Sequence, residues 1–120
     1  MRTEIRLIGA PKRVIATTTQ AASDAIDALG FGSVNLFLLV YETSGSPPSV
    51  TVIIETSMQN VADDAVLWNT IGTFSAISAS NSSDVQSITS GILRYIRYKV
   101  TLSANTTGAT FDLSGVAAAG

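Results

Sequence analysis

Nine carboxylates, seven basic side chains, one tryptophan and three tyrosines hold most of the chemistry open to this 120-residue chain, which has no histidine and no cysteine. Without histidine there is no Ser-His-Asp relay, and both the commonest general base and the commonest zinc ligand are missing. Without cysteine there is no thiol nucleophile, no thiolate metal site and no disulfide. The acids that remain are scattered. Glu42 and Glu55 fall at the ends of successive apolar segments, and a hairpin there would bring together the two carboxylates that glycoside hydrolysis needs. The other reading is two solvated residues that blunt strand edges. Asp63 and Asp64, with Gln59 and Asn60, offer the oxygen ligands calcium takes. Their spacing fits no EF-hand, however, and Asp in such a run is commonly a turn former. No enzyme, metal or cofactor is expected.

Sugar binding would use exposed aromatic rings, and Trp68, Tyr41 and Tyr95 are the candidates. A lone tryptophan in an alternating strand is more often a core anchor. The stretch "LRYIRYKVTL" (residues 93–102) concentrates three basic residues and two tyrosines. With a two-residue period, Ile96, Tyr98, Val100 and Leu102 fall on one face, and Tyr95, Arg97, Lys99 and Thr101 on the other. The first set reads as a core face. The second reads as an outer face open to a protein neighbour, with Arg97 and Lys99 able to pair with Glu55 or Glu42. A net charge of −2 argues against a nucleic-acid partner. The 46% hydrophobic content contains no run of ~18 apolar residues, because Asn35 interrupts the longest candidate, so no membrane is expected. The 13% charged content is about half the usual ~25%, leaving a surface of Ser, Thr, Asn, Gly and Ala that partly faces another subunit.

The elements that would position these residues are short strands. Turn signals recur roughly every ten residues, the spacing of an all-β sandwich. Strands are expected at residues 3–8, 13–19, 34–42, 49–57, 66–71, 73–77, 85–88, 92–103 and 110–113. A loop is expected at residues 58–65, and Ser23 would cap at most one helical turn around residues 23–29. Residues 36–41 are apolar on both faces, as in a strand covered on both sides. Phe37, Leu39 and Tyr41 lie on the face a neighbour would cover. The prediction is one all-β domain over residues 1–120: a two-sheet, antiparallel, jelly-roll-like β-sandwich. Residues 1–12 would form an N-terminal strand or arm, and 116–120 a frayed tail. Charges at positions 2, 4 and 6 make the N-terminus unlike a secretory signal, so the chain is expected to stay in the cytoplasm where it is made or assembled.

The segments Asp24-Ala25-Ile26-Asp27, "GFGSVNLFLLV", the Ser/Pro turn, "VTVIIETS", "LWNTIGTF" and "GILRYIRYKVTLSANTTGATFDLSGVA" follow one another over about residues 20–117. In this order they resemble small tailed-phage virion proteins of the capsid decoration (cement) or minor capsid type. The resemblance implies a jelly-roll-like sandwich on the outside of the capsid, bound to the major capsid protein, and a homo-oligomer such as a trimer. It implies localisation to the virion after assembly in a host cytoplasm. Arg2, Arg6, Lys12 and Arg13 would then lie against an acidic shell. The "RYIRYKV" strand is also similar to discoidin-like, galactose-binding-like sandwiches. That likeness keeps open a carbohydrate-binding or adhesion module of a tail or fibre using Trp68 or Tyr95. A head–tail connector component is a further alternative.

Overall fold

A computed structural model describes residues 2–7, 11–21, 24–59 and 67–119, with the side chains of Arg2 and Thr3 outside that set. Among the described residues, ten strands form two antiparallel sheets. They are β1 (Arg2–Arg6), β2 (Lys12–Val14), β3 (Thr18–Thr19), β4 (Ile26–Asp27), β5 (Phe31–Gly45), β6 (Val50–Ser57), β7 (Asn69–Thr73), β8 (Ser82–Ile88), β9 (Tyr95–Leu102) and β10 (Thr106–Ala119). Sheet A runs β1-β10-β5-β8, with β2 also on β10. Sheet B runs β3-β9-β6-β7, with β4 also on β9. The pairings nest: first strands with last, inner with inner, β6 with β7 at the centre. Rolling such a nested hairpin into two layers produces a jelly roll, so the predicted sandwich is the observed fold.

Alternation along the strands builds the core. Val34, Leu36, Leu38 and Val40 of β5 turn inward, as do Val50, Val52 and Ile54 of β6, Ile96, Tyr98 and Val100 of β9, and Ala109, Phe111 and Leu113 of β10. Each large aliphatic side chain contributes roughly 1.5–3 kcal/mol by leaving water. The Tyr98 ring meets Phe111 edge-on at 5.6 Å and 86°, joining the two layers. At Gly115 a Cβ would lie well inside contact with the Asn35 carbonyl oxygen, so the absence of a side chain lets β10 close on β5.

Three expectations need correction, and the extent of the turn near residue 24 is defined. Residues 13–19 are not one strand: β2 belongs to sheet A and β3 to sheet B, and exposed Ile15 lies on the crossing between them. Ser23 lies outside the described residues. The Asp24 amide donates to the Ala21 carbonyl at 2.9 Å in one tight turn, within the limit expected. The turn does not run on to Leu29: residues 26–27 form β4, paired to β9, and Asp27 Oδ1 accepts the Leu29 amide at 3.1 Å. Residue 66 lies outside the described residues, and the expected strands at 66–71 and 73–77 give, within residues 67–77, the single strand β7. Beyond it Phe74 is buried and Ile77 bridges to Val50. Residues 116–119 are not frayed, because β10 runs through them between β1 and β5, with Ala117 only 1% exposed. Gly120 is outside the described residues. The N-terminal segment is likewise a sheet strand, its Ile5 and Leu7 buried in the core.

Candidate interaction surface

Ladder register decides which side chains share a face. On sheet A, Arg6 pairs with Ser114, Ser114 with Phe37, and Phe37 with Val85, so these four form one row across four strands. The next row holds Glu4, Val116, Asn35 and Ser87. Leu39 and Tyr41 continue the outward parity of Phe37 along β5. Phe37 is 42% exposed and Val85 56%, with Tyr41 exposed and Leu39 and Val116 half-buried. A shallow depression of about 290 Å³ runs between Glu4, Arg6, Phe37, Val85 and Val116. Two exposed ion pairs bracket this apolar patch: Arg6–Glu4 at 3.4 Å and Arg13–Glu42 at 3.5 Å. Solvated pairs of this kind stabilise the fold by less than ~1 kcal/mol, so their charges remain available to a partner.

The outer face of sheet B is closed where basic Arg97 was expected to stand open. Glu55 pairs with Arg97 across β6 and β9, and the Arg97 Nε–H donates to Glu55 Oε1 at 2.9 Å. Trp68 covers the pair, its ring centroid 4.1 Å from the guanidinium carbon. Arg97 is 2% exposed and Trp68 4%. Arg97 therefore offers nothing to a neighbour, in correction of its place in the predicted interface. Trp68 is likewise covered and is no sugar platform. Lys99 is half-buried beside Ile53 and Thr19. Tyr95 is half-buried with the Arg94 guanidinium 5.3 Å from its ring centroid, and it lies on sheet B while Tyr41 lies on sheet A. The three aromatic candidates do not converge.

Nor do the candidate acids. Glu42 is on sheet A and Glu55 on sheet B, each facing a different arginine. Asn60 and the Asp63-Asp64 pair lie outside the described residues, and among the described residues no cluster of three acids could hold a metal ion. A cleft of about 460 Å³ opens at one end of the sandwich between Leu7, Lys12, Thr19, Gln20, Asp24 and Tyr98. Gln20 closes its base: its amide donates to the Leu7 and Asp24 carbonyls, both at 3.0 Å, and its oxygen accepts the Tyr98 amide at 3.1 Å.

Of the predicted interface residues, Arg6, Arg13, Phe37, Leu39 and Tyr41 come together on sheet A, and Arg97 and Lys99 stand apart on sheet B. Arg2 lies on β1 of sheet A, but its side chain is outside the described set. Val85 and Val116 complete the patch and were missed. The expected strand at 85–88 carried no assignment of faces, and the place of Val85 on the row of Phe37 follows only from register. Neither a known family model nor a curated protein sequence matches the chain.

Proposed function

We propose that this chain is a non-enzymatic structural protein of a tailed-phage virion, a head decoration protein that grips the capsid surface through the outer face of sheet A. One observation carries the assembly part of this reading: the patch of Phe37, Leu39, Tyr41, Val85 and Val116, flanked by Arg6, Glu4, Arg13, Glu42 and Asp112. Apolar centre with charged rim is the anatomy of a protein–protein interface. The virion placement rests on the sequence resemblance. The scattered acids and the lack of histidine and cysteine favour a structural role over catalysis.

The test is co-sedimentation with capsid shells of the encoding phage, prepared without this protein. The wild-type chain is expected to saturate a fixed number of sites, and Phe37→Glu to lose binding at least tenfold while melting normally. Absence of wild-type binding, or equal binding by Phe37→Glu, would overturn the reading.

A further inference from the structure

The margins of the two sheets are not alike. β1 carries Glu4 and Arg6, β2 carries Lys12 and Arg13, β3 and β4 are two residues long, and β7 meets β6 with a bulge. Charges, shortness and bulges are the usual means of keeping an edge from pairing with another chain. β8 is neither short nor bulged. It pairs with β5 over seven consecutive positions without a register shift, and it contains no lysine, arginine or proline. Its one charge, Asp84, is already engaged, accepting the Ser75 amide at 2.8 Å.

Hydrogen-bond parity shows which groups β8 leaves open. The Leu7 amide donates to the Leu113 carbonyl, so Leu113 faces β1, and by alternation Asp112, Ser114 and Val116 face β5. Their partners Leu39, Phe37 and Asn35 face β10, which leaves Val34, Leu36, Leu38 and Val40 facing β8. Ser82, Asp84, Gln86 and Ile88 answer them. Ser83, Val85 and Ser87 therefore turn their N–H and C=O groups to the free edge, and all three are exposed.

The sequence along this edge, Ser83-Asp84-Val85-Gln86-Ser87, reads nearly the same in both directions. We propose that β8 is a dimerisation edge, pairing antiparallel with β8 of a second copy about a two-fold axis at Val85. This inference rests on the edge alone and not on what docks against the patch. In that register Ser83 faces Ser87, Val85 faces its own counterpart, and the three narrow pairs exchange two backbone hydrogen bonds each. On the inner face Asp84 meets Gln86, whose amide can donate to the carboxylate oxygen not bound to Ser75. Sliding the strands so that Val85 meets Ser83 sets Asp84 against Asp84, a like-charge pair that disfavours it. An edge shared with a second copy is isologous, which a near-palindromic strand satisfies without any other sequence. The two Val85–Phe37 rows become continuous across the axis.

Analytical ultracentrifugation up to ~1 mM, where a dimer with millimolar or tighter affinity populates, tests this together with four variants. The average mass should rise from 12.5 kDa toward twice that value. Val85→Pro removes only an N–H that β5 does not use and should stay monomeric with little change in melting temperature. Val85→Lys sets like charges together and should also stay monomeric. Val85→Cys supplies the chain's only thiol at a narrow pair whose Cα spacing of ~5.5 Å suits a disulfide. It should crosslink under mild oxidation, and Ser83→Cys should not. A wild-type chain of constant mass, or a dimer untouched by Val85→Pro and Val85→Lys, refutes the proposal. A monomer that still binds capsid shells refutes this dimer and leaves the docking reading standing. A dimer that binds no shell does the reverse.

Discussion

The Arg97 guanidinium lies over the Trp68 ring, its carbon 4.1 Å from the ring centroid, while the same guanidinium bonds Glu55 at 2.9 Å. Both members of the ion pair are buried, so each depends on the other. Removing Arg97 leaves a buried carboxylate without its cation, which typically costs ~3–5 kcal/mol. Arg97→Ala is expected to lose that much in urea unfolding followed by tryptophan fluorescence, with native emission shifted to the red as Trp68 loses its cover. Arg97→Lys should fall between, because an ammonium cannot both stack and present the fork. A loss below ~1 kcal/mol for Arg97→Ala would mean that the pair is solvated.

Gly115→Ala places a methyl group against the Asn35 carbonyl, backbone that cannot give way without opening the β5–β10 ladder. The expected destabilisation is ~1–3 kcal/mol, the usual cost of overpacking. Gly108→Ala is the control. Its Cβ meets the end of the Arg13 side chain, which can swing aside at the expense of an exposed pair with Glu42. Thermal melts should rank Gly115→Ala well below Gly108→Ala, and equal melts would contradict the packing described for β10.

Gln20→Ala removes three hydrogen bonds that hold Leu7, Asp24 and Tyr98 at one end of the sandwich. Buried groups left unpaired cost ~1–3 kcal/mol each, but the neighbouring cleft admits water, so a total near ~2 kcal/mol is expected. Amide exchange should accelerate at Tyr98 and remain slow at Val52, deep in β6. Unchanged exchange at Tyr98 would show that the Gln20 oxygen is not its acceptor.

Much of this was legible in the sequence because strand period and burial are local. The inward set Ile96, Tyr98 and Val100 follows from alternation, and so does the two-sided character of β5. The pairing of Arg97 with Glu55 was also open to that reading, since both stand on outward positions. What alternation does not contain is what covers a face. Trp68 reaches Arg97 from outside the strand that carries it, so burial of a basic residue on an outer face left no periodic trace. The run of small residues at 116–119 looked like a loose tail because its order comes from β1, more than a hundred residues away in sequence. The crossing at Ile15 broke a β-branched run for the same reason: the partners of β2 and β3 lie in different sheets.

The outer face of sheet A is the centre of the account, and hydroxyl-radical footprinting of the chain bound to capsid shells tests it most directly. Phe37 and Tyr41 on that face should lose reactivity on binding by several fold, while exposed Met58, at the end of sheet B, keeps its reactivity. Equal labelling of Phe37 and Tyr41 in free and bound protein, with protection at Met58 instead, would place the contact elsewhere and contradict the account.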